Sequence, residues 1–84
     1  MNQDIFEFAT IHAIAILPEP DNSTIKEITA SIFVETHSIE QIEEMITRLK
    51  VLNLVETLTH PNNESSKWTN LFIDSIRQKA LKKV

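Results

Sequence analysis

Apolar residues recur through the first half of the chain at the three- and four-residue intervals of an α-helix, broken where turn residues gather. The first periodic segment predicts a helix over about residues 3–17, with Asn2 or Asp4 as its cap. Ile5, Phe8, Ala9, His12 and Ile16 fall on one stripe of it, and Phe6, Ile11 and Ile14 add a second. A helix apolar around so much of its circumference belongs at the centre of a fold or against a partner. Pro18, Pro20 and the Asp21-Asn22-Ser23 run end it. A second helix is predicted over 24–34, opened by a Thr24/Glu27 capping box and burying Ile25, Ile28, Ile32 and Phe33.

The third helix, 39–52, has the clearest signals. Ser38 and Gln41 have capping-box spacing, and Glu40 complements the helix dipole. Ile39, Ile42, Ile46, Leu49 and Leu52 mark a buried stripe with Met45 beside it, and Asn53 takes the place of a left-handed C-cap. Two short runs rich in β-branched and aromatic residues follow, Leu54–Thr59 and Lys67–Phe72, separated by His60-Pro61-Asn62-Asn63-Glu64-Ser65-Ser66. They predict a two-stranded hairpin over about 54–70. A last helix over 71–83 presents Phe72 or Ile73, Ile76 and Ala80, with basic residues crowding its final turns. The expected class is therefore mainly α with a small β-hairpin (α+β), in one domain spanning 1–84.

Composition narrows the chemistry. Eighty-four residues hold one core, and a chain of this size buries only about 60–65% of its unfolded surface, so self-association that covers more apolar area is expected. The chain has no cysteine, which excludes disulfides, thiolate zinc sites and a cysteine nucleophile, and fits a cytoplasmic location. It has no glycine either, which excludes phosphate-cradling glycine loops. No apolar stretch approaches the roughly 20 residues of a membrane span, and the N-terminus lacks a basic signal-peptide region. His12, His37 and His60 lack zinc-ligand spacing, and no nucleophile elbow or paired-carboxylate signature occurs. No enzymatic activity, metal or cofactor is expected. Charge is segregated: residues 1–66 carry eleven acidic and three basic side chains, whereas 67–84 carry five basic and one acidic.

Ser23–Thr29, Ile42–Leu58 and Trp68–Leu81 together resemble the winged helix-turn-helix superfamily, particularly small bacterial regulators of the MarR and PadR type. Ile42–Leu58 is similar to a recognition helix running through Leu49, Leu52 and Leu54-Val55 into the first wing strand. Trp68–Leu81 is similar to the second wing strand and the helix after it. The resemblance implies a four-helix domain with a two-stranded wing, and dimerisation through the terminal helices, for which Phe6, Ile11, Ile14, Ile76 and Ala80 are candidates. The link Val34-Glu35-Thr36-His37 is longer than the family's tight turn.

In that family the start of the recognition helix reaches base edges. The matching residues here are Glu40, Gln41, Glu43, Glu44 and Thr47, and three glutamates facing a phosphate backbone repel it. They read first as a solvated face of good helix formers with favourable dipole placement, and next as a contact surface for a basic protein partner. The expected function is a regulatory module acting by protein–protein contact through this acidic face. The alternative is a DNA-binding transcriptional regulator using the wing and the basic C-terminal helix, with Arg48, Lys50, Lys67, Trp68, Arg77, Lys79, Lys82 and Lys83 as candidates.

Overall fold

The computed structural model describes residues 2–83, with side chains from Ile5 to Lys83. The candidate caps Asn2 and Asp4 lie outside the described side chains. The chain folds into four helices: α1 (Asn2–Ala15), α2 (Ser23–Thr36), α3 (Ile39–Thr59) and α4 (Ser65–Lys83). No strand occurs among the described residues. The expected α+β class and its wing are thereby corrected to an all-helical fold. Both segments read as strands are helical, and the turn between them joins two helices.

The reason lies in side chains that suit either state. Threonine favours strands, but Thr57 and Thr59 donate their hydroxyls to the Asn53 and Val55 carbonyls four residues back, both at 2.8 Å. Asn53 ends nothing. Its amide donates to the Ser66 carbonyl at 3.3 Å and to Asn70 Oδ1 at 3.0 Å, tying α3 to α4. No described residue has a positive φ, so no left-handed cap exists there. The helix ends six residues later at Thr59, capped by His60, whose N–H donates to the Glu56 carbonyl at 2.8 Å. After Pro61 the chain turns into α4, where Asn63 Oδ1 accepts from the Ser65 N–H at 3.0 Å. Thr69, Phe72, Ile73 and Ile76 then repeat at helical spacing on the buried side.

The Ser38/Gln41 capping box is complete: Ser38 Oγ accepts from the Gln41 N–H at 3.2 Å, and Gln41 Oε1 accepts from the Ser38 N–H at 2.9 Å. The Thr24/Glu27 box does not form. Helix α2 begins at Ser23 without a side-chain cap, and Glu27 instead reaches across to Ser75 and Lys79 of α4. It also runs on through Val34–Thr36, leaving only His37 and Ser38 between α2 and α3, so the long link is corrected to a short one.

The central helix is the last one. α4 packs against α1, α2 and α3, whereas α2 and α3 scarcely meet. Its Phe72, Ile73 and Ile76 interlock with Ile11 and Ala15 of α1, Ala30, Phe33 and Val34 of α2, and Ile42, Met45, Ile46 and Leu49 of α3. The molecule measures 36 × 30 × 20 Å, its short axis matching two helix diameters of about 10 Å.

Helix α2 is rotated relative to expectation. Of its predicted core stripe only Phe33 is buried; Ile25, Ile28 and Ile32 are exposed, and Lys26 and Ala30 face inward. Lys26 is 3% exposed, yet its ammonium is satisfied. It donates to the Ala15 carbonyl at 3.0 Å and the Trp68 carbonyl at 3.5 Å, and lies 3.4 Å from Glu19 Oε2. An ammonium at the carbonyl end of α1 is also where the helix dipole favours it. Burial lowers the Lys26 pKa from its ordinary value, and Glu19 partly offsets that.

Candidate functional site

Helix α3 is 21 residues long, about 32 Å, and only part of its circumference meets the core. Ile42, Met45, Ile46 and Leu49 are buried. At 100° per residue the opposite side carries Glu40, Glu43, Glu44, Thr47, Val51, Leu54, Val55 and Leu58, all exposed. This outward face has two halves. Its first two turns present three carboxylates, and its last three turns present Val51, Leu54, Val55 and Leu58 at 48–74% exposure. The acidic half was legible in the sequence. Most of the apolar half is hidden there, because Leu54, Val55 and Leu58 fall in the predicted first strand.

Neighbouring charges sharpen the division. Arg48 Nη2 donates to Glu44 Oε1 at 2.7 Å, one turn apart on the surface, so this arginine is tied to the acidic half. Gln41, expected to be available for contact, is occupied by the capping box. Beside it lies a small polar pocket of about 80 Å³ lined by Glu7, His37, Gln41, Glu44, Met45 and Arg48. There His37 Nε2 and Glu7 Oε2 are 2.8 Å apart, joining α1 to the α2–α3 junction.

On the other flank, α3 and α4 enclose an open groove of about 510 Å³. Ile39, Ile42, Ile46, Ala80 and Leu81 line its floor, and Glu43, Thr47, Lys50 and Arg77 line its rim. Residues expected to serve three different purposes thus meet in one place. Ala80 belongs to this wall, while Ile11 and Ile76 are buried in the chain's own core and Ile14 packs against it. Of the five residues expected at a dimer contact through the terminal helices, only Phe6 is largely exposed, at 73%.

The nucleic-acid candidates are dispersed. Lys67 and Trp68 stand in the first turn of α4, not on a wing. The half-buried Trp68 ring has the Lys67 ammonium 4.8 Å from its centroid and that of Lys26 at 5.9 Å. Lys79 is ion-paired with Glu27, whose carboxyl it holds below the usual range. Lys83 donates to the Val34 carbonyl at 2.6 Å and to the His37 carbonyl, capping the end of α2. Two of the five basic residues of the C-terminal segment are therefore engaged inside the fold, and Lys50, Arg77 and Lys82 lie exposed.

His12 stacks on Phe8 with ring centroids 6.1 Å apart, His37 closes α2, and His60 closes α3. Among the described residues, no group of three or more His, Asp or Glu side chains gathers where a metal ion could be held. Nor is any described helix long and apolar enough to cross a membrane. Compared with known protein families, curated proteins and solved structures, the chain matches none.

Proposed function

We propose that this protein is a small helical interaction module that binds a partner protein along the outward face of α3. The observation that carries this reading is the division of that face into a carboxylate half and an apolar half. Its complement is a helical segment whose Lys or Arg cluster is followed, or preceded, by a row of large apolar residues. The four apolar side chains expose roughly 350 Å² together, within the about 300–600 Å² typical of the largest patch on a monomer and often functional there. The carboxylates add rate and register more than affinity. Duplex DNA fits this face poorly, since phosphates would meet Glu40, Glu43 and Glu44, and elsewhere Lys79 and Lys83 are held by Glu27 and by α2 carbonyls.

The test is fluorescence anisotropy with a labelled helical peptide carrying apolar residues in one half and lysines in the other, beside a scrambled peptide of equal composition. Binding of the ordered peptide should weaken at least about tenfold in a Glu40→Lys/Glu43→Lys/Glu44→Lys variant and in Leu54→Asp/Leu58→Asp. Weakening with added salt should be lost in the first variant alone. Binding indifferent to both variants would sink the proposal. So would tighter binding to a mixture of random DNA duplexes, which would return the basic residues to consideration.

A further inference from the structure

The face shared by α1 and α2 is a second exposed apolar patch, separate from that on α3. On α2, Ile25, Ile28 and Ile32 are 45, 54 and 56% exposed and form one ridge at i, i+3 and i+7. On α1, Phe6 is 73% exposed, and Ala9, Thr10 and Ala13 are exposed around it. Between the two helices runs a groove of about 450 Å³, walled by Phe6, Ile14 and Ile32 among others. Two threonines at its edges spend their hydroxyl protons within the chain. Thr10 donates to the Phe6 carbonyl at 2.9 Å and Thr36 to the Ile32 carbonyl at 2.8 Å, each within its own helix. The ridge and these α1 positions carry no charge, in a chain with 20 charged residues.

We infer that this face is the contact between two copies of the chain. The ridge of α2 is branched and bulky, whereas the adjoining strip of α1 is small and lets another helix approach closely. A two-fold axis brings the ridge of each copy onto the strip and groove of the other, so each half of the face finds its complement twice. Electrostatics are compatible: the chain carries a net charge of −4, the ridge and strip bring no charged side chain to the contact, and Glu7, which lines the groove, lies 2.8 Å from His37 Nε2. Phe6 and the three isoleucines expose roughly 400 Å² per copy, and with the flanking small residues two copies bury about 1,200 Å², the lower limit of a specific interface. The dimer is accordingly weak and forms only at high protein concentration. Two joined α1–α2 hairpins make a four-helix layer, and the α3 face stays open.

Sedimentation equilibrium of the full chain up to about 1 mM tests this. The mass should rise towards twice that of one chain, and Ile28→Lys should raise the Kd by at least about 100-fold, because the change occurs on both copies. Ile32→Thr, which keeps a β-branched side chain at an exposed position, should raise it less, with an unchanged helical circular dichroism spectrum in both variants. Leu54→Lys on α3 should leave the dimer intact. A chain monomeric at the highest concentration overturns the inference and leaves the face to another protein. A dimer abolished by Leu54→Lys but not by Ile28→Lys overturns it too, and moves the contact to α3.

Discussion

Asn53→Gly separates a continuous α3 from a helix that stops at residue 52, because the two geometries give opposite signs. If Asn53 occupied a left-handed cap, glycine would relieve a strain of up to about 1 kcal/mol and stabilise the protein. Inside a continuous helix, glycine costs about 0.3 kcal/mol more than asparagine, the gap between about 1 and about 0.7 on the propensity scale. The substitution also removes the hydrogen bonds to Ser66 and Asn70. Each contributes about 0.5–1.5 kcal/mol, and partial exposure puts both near the low end. The expected loss is about 1–2 kcal/mol, or roughly 5–10 °C in Tm for a domain of this size. Asn53→Ala is the control: it loses the same bonds but gains about 0.7 kcal/mol of helix propensity, so it should fall between Gly and the parent. Urea unfolding followed by circular dichroism at 222 nm reads all three, with equal m-values required. A glycine variant as stable as the parent, or more so, would refute a helix running through to Thr59.

Other perturbations probe the remaining ties. Because burial lowers the folded pKa of Lys26 below its ordinary 10.5, the unfolded chain binds the extra proton, and stability should rise as pH climbs towards 10.5. Lys26→Met should flatten that alkaline rise, and an unchanged slope in urea titrations at several pH values would count against the buried ammonium. Ser38→Ala removes half the capping box and should cost about 1 kcal/mol, whereas Thr24→Ala at the unformed box should be within about 0.5 kcal/mol of neutral. The Glu27 carboxyl should titrate below its ordinary 4.5 by NMR, and Lys79→Met should return it towards that value. A midpoint that ignores Lys79 would remove this tie between α2 and α4.

The legible parts of the fold were those with local causes. The α1–α2 turn, held by two prolines, and the Ser38 capping box depend on residues close in sequence, and both occur. The extent of α3 was obscured because Leu54–Thr59 satisfies a strand's preference for branched side chains and a helix's periodicity equally. Continuing the spacing from Leu49 through Leu52, Asn53 and Glu56 shows the inward side of the same helix, and that continuity outweighs propensity. The orientation of α2 was not legible. Its most regular apolar stripe faces outward, and the inward side owes its burial to three oxygens around Lys26 that belong to distant segments. The candidate site divided the same way: its carboxylates stood in plain view, and its apolar half appeared only when the wing proved to be helix.

The central position of α4 sets the order in which this chain can become stable. Helices α1, α2 and α3 meet chiefly through it, so the segment 2–64 alone has little core to close around. Until Phe72, Ile73 and Ile76 arrive, the inward faces of three helices stay solvent-exposed alongside the isoleucine ridge and the end of α3. Closing the core therefore waits on α4, and the domain should fold in a nearly concerted step in which the α3–α4 hairpin is an early contact. Speed after that point is favoured by the hairpin's short five-residue turn, which brings α4 back along α3 at low entropic cost.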